Sequence, residues 1–178
     1  MAKYKVVIVG GGFGGIKAAL ELSNDQRFSV TLISNLKSFR YYPTLYRTAT
    51  GGRKIVADIP LEQIFAEKNI SILNDQAISI DRERRIVKTK SNYSISYDAL
   101  VLALGVKTNY FNIQGLEEFS YGVKTLEDAV ELKSHLHKQL IEDRRPDLNY
   151  VVVGGGPTGI ELAGALPSYI NNLLKNYK

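Results

Sequence analysis

The spacing of three glycines near the start of the chain limits its fold more than any other feature. Gly10, Gly12 and Gly15 follow a short apolar run and precede a helix-forming segment, so residues 5–20 are predicted to form a strand, a tight turn and a helix. The spacing G-x-G-x-x-G in this position is typical of a dinucleotide-binding unit. Gly10 permits the turn, Gly12 leaves room for a pyrophosphate, and Gly15 lets the helix pack on the strand. The N–H groups of residues 13–16 are expected to bind the phosphates, although a glycine-rich turn without a ligand is the alternative.

A second strand, predicted at residues 28–33, completes a strand-helix-strand unit of the usual size, about 30 residues. In such units an acidic residue at the end of the second strand commonly binds the ribose hydroxyls. Ser34 and Asn35 occupy that place here. Either side chain could bind a hydroxyl, more weakly than a carboxylate would, because the hydrogen bond is not charge-assisted.

The sequence contains no cysteine, which excludes disulfides, thiolate metal sites and dithiol chemistry within these residues. The net charge of +5 comes from lysines and arginines scattered along the chain, so no nucleic-acid partner is expected. His135 and His137 are two residues apart in a predicted helix and therefore point to different faces. No metal site is predicted.

The longest apolar runs, residues 6–9, 99–104 and 150–153, are far shorter than the roughly 20 residues that a membrane-spanning helix needs. Glycines interrupt the first run at once and no small-residue cleavage pattern follows, so a signal peptide is not expected. These features predict a cytoplasmic protein.

The middle of the chain consists of short predicted elements. A helix is predicted to follow Pro60 within residues 55–65. Residues 98–105 are an apolar run ending in Gly105, as expected for a strand buried on both faces of a parallel sheet. Strands interpreted as a small antiparallel layer are predicted at residues 70–73, 77–80, 85–88 and 93–96.

Two further segments differ in character. Residues 39–52 are rich in aromatic side chains and end in two glycines, which indicates a structured loop or an irregular helix near a planar ligand, with surface packing as the alternative. Residues 125–141 are predicted to form a polar helix with one apolar stripe. A domain boundary is predicted between Gly105 and Gly122, where turn residues are frequent.

A second glycine turn repeats the first. Gly154, Gly156 and Gly159 lie 144 residues after their counterparts and follow an apolar run predicted to be a strand. Two such turns predict two dinucleotide sites with electron transfer between them, for which a flavin and a nicotinamide are the obvious pair. Because few residues follow Gly159, we expect an N-terminal fragment whose preference for NADH or NADPH is set beyond it.

Glu161 is the residue with two competing interpretations. Lys17 stands at the matching place of the first turn, so the two turns are not equivalent. Thr158 and Glu161 have the spacing of a capping box, in which the glutamate simply closes the start of the helix. A functional role for its charge is the alternative.

With both turns described, the chain resembles the pyridine nucleotide-disulfide oxidoreductase superfamily, and within it the type II NADH dehydrogenases, flavoproteins that pass electrons from NADH to quinone. The specific stretches are residues 43–51, 104–111 and 154–164. The resemblance implies an α/β fold. Residues 1–115 would form a three-layer, Rossmann-like FAD-binding domain with a small antiparallel β insertion, and residues 116–178 would begin a second Rossmann-like domain that binds NAD(P)H.

The resemblance also implies the site residues. Glu161 would lie beside the reacting rings as the catalytic residue. FAD would contact Gly10, Gly12, Phe13, Gly14, Gly15, Ser34, Thr50, Gly51, Ala77, Ala103, Leu104 and Gly105. NADH would contact Gly154, Gly156, Pro157, Thr158 and Gly159. Ser34 and Leu104 depart from the family pattern, which commonly has an acidic residue and a threonine at these places.

The implied activity is hydride transfer from NADH to FAD, followed by electron transfer to a quinone of the respiratory chain. The parent protein is expected to be a peripheral membrane protein at the cytoplasmic face of the cell membrane, to form a homodimer, and to need its missing segments for activity. The alternatives are a ferredoxin or rubredoxin reductase with a soluble acceptor, and a non-catalytic nucleotide-binding module. The lack of cysteine argues against disulfide and sulfide:quinone reductases.

Overall fold

The computed structural model describes residues 2–53, 58–145 and 149–176. The chain forms two compact units, Met1–Phe39 with Ile59–Val106 and Arg40–Asp58 with Lys107–Lys178. In chain order the elements are β1 (Tyr4–Val9), α1 (Phe13–Ser23), β2 (Phe28–Ser34), β3 (Ser38–Arg40), a 3-10 turn (Tyr42–Thr44), α2 (Leu45–Ala49), β4 (Asp58–Pro60), α3 (Leu61–Ile64), β5 (Ile70–Asn74), β6 (Ala77–Asp81), β7 (Ile86–Thr89), β8 (Ser94–Ser96), β9 (Ala99–Leu102), α4 (Leu126–His137), a π-helical turn (Lys138–Glu142) and α5 (Pro157–Asn176).

The first unit is built on a four-stranded parallel sheet with the strand order β5-β2-β1-β9. Val6 on β1 is opposite Val30 on β2 and Ala99 on β9. The backbone N–H of Gly10, just after β1, donates to the carbonyl of Ile33 at 2.9 Å. The first glycine turn therefore lies at the carboxyl edge of the sheet, where open parallel sheets bind ligands.

Alternate residues of the central strands enter two different cores. Side chains on one face of the parallel sheet pack against α1 and α3. Side chains on the other face pack against the antiparallel sheet β6-β7-β8. This alternation follows from the two-residue period of a strand. The helix-side core includes Val6, Ile8, Val30, Leu32, Ile16, Ala19 and Leu61. The opposite core includes Val7, Val9, Ile33 and Val87.

Two strand predictions need correction. Residues 70–73 do form a strand, but β5 pairs in parallel with β2 and is not part of the antiparallel layer. The strand predicted at residues 98–105 is β9, which lies at an edge of the sheet and is only half-buried, with Leu102 exposed. An apolar run shows that a strand forms, whereas its place in the sheet depends on partners that are distant in the sequence.

The second unit has a helical core in which α2, α4 and α5 meet. Its buried side chains are Leu45, Ala49, Leu126, Ala129, Leu136, Leu162 and Leu166. The helix predicted over residues 125–141 is confirmed as α4 and the π-helical turn that continues it. The short helix predicted after Pro60 is confirmed as α3, whereas residues 55–57 of that prediction lie outside the described residues.

A capping box fixes the start of α4. The Thr125 hydroxyl accepts from the Asp128 N–H at 3.1 Å, and the Asp128 carboxylate accepts from the N–H groups of Thr125 and Lys124. Burial opposes ionisation of Asp128, but these hydrogen bonds outweigh it and hold the pKa of the carboxyl below its usual value.

The strand predicted before the second glycine turn is not formed. Residues 149–156 have no strand conformation, and Val151 and Val153 are 84% and 74% exposed. A strand needs a neighbour to pair its backbone groups, and the described part of the chain provides none for this segment.

None of the helices in the described ranges combines the length and the apolar content that a membrane crossing requires.

Replacing Thr125 by alanine should lower the free energy of unfolding by about 1 kcal/mol, because the first turn of α4 loses its side-chain acceptor. Thr125→Ser keeps the hydroxyl and is the matched control, with an expected change below about 0.5 kcal/mol. Urea denaturation of both variants at neutral pH measures the difference. Equal stability of the alanine and serine variants would contradict a capping role for the hydroxyl.

Candidate functional site

The first glycine turn depends on two close approaches of the backbone. Gly10 has a φ of +113°, and a Cβ atom there would lie 2.1 Å from the carbonyl oxygen of Ala103. A Cβ atom on Gly15 would lie 1.8 Å from the carbonyl oxygen of Gly10. Both distances are impossible for a real side chain, so these two glycines are required by packing within the protein.

Gly12 is different because its open side faces no protein atom. A Cβ atom there would have no neighbour within 4 Å. Gly12 is also the N-cap of α1, with no side-chain cap hydrogen bond and no acidic residue in the first helical turn. The first N–H groups of the helix are therefore open to an anion, and the positive end of the helix dipole favours one. These features fit the pyrophosphate of a dinucleotide.

Ser34 is placed beside this turn, but its hydroxyl is already engaged. It is 4% exposed, donates to the carbonyl of Leu36 at 2.8 Å and accepts from the Leu36 N–H at 3.2 Å. Its Oγ atom also lies 2.7 Å from the position of a Cβ atom on Gly11. Asn35, the next residue, is exposed. Of the two neutral residues at this strand end, Asn35 therefore has the accessible polar group.

The other residues predicted to bind FAD fall into two groups. Ala103 forms the back wall of the first turn, with its N–H donating to the carbonyl of Val9 at 2.8 Å. Leu104 and Gly105 follow directly after Ala103, and the Leu104 side chain is 71% exposed. Ala77, at the start of β6, packs against the core on the antiparallel side of the sheet. These residues share the first unit with the glycines.

Thr50 and Gly51 belong to the second unit, where they end α2. The Thr50 hydroxyl donates to the carbonyl of Tyr46 at 2.9 Å, and the N–H of Gly52 donates to the carbonyl of Arg47. Gly51 has a φ of +94°, as expected for the residue that follows a helix C-cap. Their local role is to terminate the helix.

Sequence reasoning missed one contact beside the first turn. The ring of Phe39 is buried and meets the ring of Phe13 edge to face, with 4.8 Å between the ring centroids. Phe13, the first residue of α1, is half-exposed. The sequence gives no local signal for this pair, because Phe39 lies in a separate segment.

The second glycine turn repeats the geometry of the first. Gly154 has a φ of +115°, and a Cβ atom on Gly159 would lie 2.1 Å from the carbonyl oxygen of Gly154. Gly156 again has no protein atom within 4 Å of a Cβ position, and the first turn of α5 has no acidic residue. Pro157 is the first residue of α5 and has no N–H group, so Thr158 and Gly159 present the first free donors.

The capping box predicted at Thr158 and Glu161 is not formed. The helix begins at Pro157, and the Ile160 N–H donates to the carbonyl of Gly156 at 3.1 Å. Thr158 and Glu161 are therefore inside the helix, whereas a capping threonine must precede it. The glutamate is exposed on the second turn of α5.

A family model for pyridine nucleotide-disulphide oxidoreductases matches residues 4–173. The chain belongs to this family. The predicted α/β fold, with a parallel sheet and a small antiparallel layer, is thereby confirmed. Within the family, the resemblance to type II NADH:quinone oxidoreductases is also confirmed by the relatives that follow.

The type II NADH:quinone oxidoreductase NdhA of Mycobacterium tuberculosis is 33% identical over 177 residues, which cover 92% of this chain and 37% of that protein. The structure of NDH2 from Plasmodium falciparum in complex with NADH is 28% identical, with a TM-score of 0.82, and the match covers 99% of this chain and 39% of that one. A sulfide:quinone oxidoreductase from Aquifex aeolicus is 37% identical, with a TM-score of 0.72, over 80% of this chain and 33% of that one. The chain thus spans less than half the length of each.

The two kinds of glycine in the first turn should respond differently to substitution. Gly15→Ala should destabilise the first unit by several kcal/mol or prevent folding, because its Cβ would overlap the carbonyl oxygen of Gly10. Gly12→Ala should fold normally, because its Cβ meets no protein atom. Thermal denaturation of the apoprotein measures both. Equal losses in melting temperature would contradict the difference between a packing glycine and a ligand-facing glycine.

Proposed function

We propose that the protein containing this chain is an FAD-dependent oxidoreductase that oxidises NADH and passes the electrons to a quinone. The main support is the matched geometry of the two glycine turns, each with an open middle glycine at the start of a helix. Two dinucleotide sites in one oxidoreductase suit electron transfer between a flavin and a nicotinamide. Residues 1–115 would contribute the FAD-binding domain, and residues 116–178 the beginning of the NAD(P)H-binding domain.

Residues of the first unit would hold FAD, which when bound supplies the redox chemistry. The N–H groups at the start of α1, with Phe13, Gly14 and Gly15, would bind the pyrophosphate. The exposed amide of Asn35 would bind a ribose hydroxyl, since the Ser34 hydroxyl is occupied by Leu36.

Residues of the second unit would hold NADH. The Thr158 and Gly159 N–H groups would bind its pyrophosphate, because Pro157 cannot donate. Glu161 lies one turn further along α5 and would set the charge beside the nicotinamide. Since the capping box is absent, this role no longer competes with a structural one at the helix start.

A quinone is the proposed acceptor. The relatives of M. tuberculosis and A. aeolicus are both named as quinone oxidoreductases. The 178 residues contain no cysteine, so they provide no thiol for sulfide or disulfide chemistry. Contact with the quinone and with the cytoplasmic face of the cell membrane is proposed for parts of the protein beyond these residues.

Replacing Glu161 by glutamine in the complete FAD-loaded protein should change the rate of flavin reduction by NADH. We expect the rate in anaerobic stopped-flow to fall by roughly three- to tenfold, the scale on which one partly screened charge affects a transition state. Glu131→Gln, on the exposed side of α4, makes the same charge change and is the control. An unchanged rate in Glu161→Gln would show that the carboxylate has no part in the reaction.

The visible spectrum of the complete protein tests the proposed function itself. The purified protein should be yellow, and its flavin absorbance should bleach when NADH is added under anaerobic conditions. A membrane-permeant quinone analogue should then restore the absorbance, whereas recovery only with ferredoxin or rubredoxin would assign a soluble acceptor. A colourless protein without extractable flavin would contradict the proposal.

A further inference from the structure

The end of β2 lies beside the first glycine turn, and its backbone is held from both sides. The carbonyl of Ile33 accepts from the Gly10 N–H at 2.9 Å, which ties the strand end to the turn. The carbonyl of Ser34, the next residue, accepts from the side-chain amide of Asn74 at 3.0 Å. Asn74 is the last residue of β5 and is paired with Ser34 in the parallel ladder. The strand end is therefore fixed between the glycine turn and the neighbouring strand.

The Ser34 side chain fixes the turn that follows the strand. Its hydroxyl donates to the carbonyl of Leu36 and accepts from the N–H of the same residue, so one side chain binds both backbone groups. The hydroxyl needs the space beside Gly11, because a Cβ atom there would lie 2.7 Å from it. At the other end of the turn, the carbonyl of Lys37 accepts from the Leu61 N–H at 3.0 Å. The turn thus has a defined backbone conformation.

Asn35 is the residue that this turn presents to solvent. Its side chain is exposed, and its amide makes no hydrogen bond within the described part of the chain. Its neighbours Ser34 and Leu36 are both fixed, so its own main chain has little freedom. A carboxamide has one acceptor and two donors, which suits the adjacent hydroxyls of a ribose. None of residues 34–37 is acidic, so no carboxylate in the turn competes for such a ligand.

We propose that Ser34 and Asn74 are positioning residues that hold Asn35 as the group that binds the adenosine ribose of FAD. The inference rests on the proposed function. A fixed neutral turn would take the place of the acidic side chain that commonly binds this ribose. Because a neutral hydrogen bond is weaker than a charge-assisted one, its contribution depends on how well the amide is pre-organised. Loss of Ser34 or Asn74 should therefore weaken the contact, although neither residue touches the ribose.

The test compares FAD with an analogue whose adenosine lacks both ribose hydroxyls. The complete protein, freed of its flavin, is titrated with each compound and followed by flavin fluorescence. Asn35→Ala should raise the dissociation constant for FAD by roughly three- to tenfold, the scale of one neutral hydrogen bond. Ser34→Ala and Asn74→Ala should raise it by roughly two- to fivefold, because the amide is less well positioned. For the analogue, each of these three variants should stay within about twofold of the wild-type value.

Two control variants accompany the comparison. Ser34→Thr keeps the hydroxyl and should bind FAD as the wild-type protein does, and Asn172→Ala, which removes an exposed amide far along α5, should leave binding unchanged. If Ser34→Ala and Asn74→Ala weaken FAD and the analogue by the same factor, their role is merely structural and the inference is overturned. Equal affinity of the wild-type protein for both compounds would overturn it too. If the wild-type protein binds neither compound, the proposed function itself fails, so the two failures are distinguishable.

Discussion

The contact between the third glycine of each turn and the carbonyl of the first determines how each candidate site is built. With 1.8 Å between a Cβ position on Gly15 and the Gly10 carbonyl oxygen, and 2.1 Å in the Gly159 and Gly154 pair, only glycine lets the helix approach this closely. The approach brings the helix N-terminus to the end of the preceding segment. The N–H groups, the helix dipole and the open middle glycine then meet at one place, where an anion is favoured.

The second turn shows that this geometry is local. Residues 149–153 form no strand, and Val151 and Val153 are exposed, yet Gly154 has nearly the same φ as Gly10. In the first unit the strand before the turn is the centre of a parallel sheet. The glycine spacing therefore specifies the turn and the helix start, whereas the strand forms only where neighbours pair with it.

The same distinction explains which features could be predicted from the sequence. The helices and the glycine turns depend on residues close in the chain, and α1, α3 and α4 were predicted correctly. The pairing and burial of a strand depend on distant partners: β5 was predicted in the antiparallel layer but pairs in parallel with β2, and β9 is in the parallel sheet as predicted but is half-buried at its edge. The predicted capping box at Thr158 is absent because the Ile160 N–H donates to the carbonyl of Gly156, so the helix starts before Thr158. The two hydrogen bonds between the Ser34 hydroxyl and the Leu36 backbone could not be predicted from the sequence, because they depend on the geometry of the turn.

The residues at the matching place after the two turns, Lys17 and Glu161, carry opposite charges and have different surroundings. Lys17 forms an ion pair with Glu21 four residues later, so its charge is neutralised within its own helix. Glu161 is exposed on α5, whose buried residues pack against α2, a helix more than a hundred positions earlier in the sequence that belongs to the same unit. The segment Arg40–Asp58 thus interrupts the first unit in the sequence and adds a helix to the second. Because Leu45 and Ala49 of α2 lie in the same core as Leu162 and Leu166 of α5, a change in this short helix would alter the stability of the unit that carries the second glycine turn.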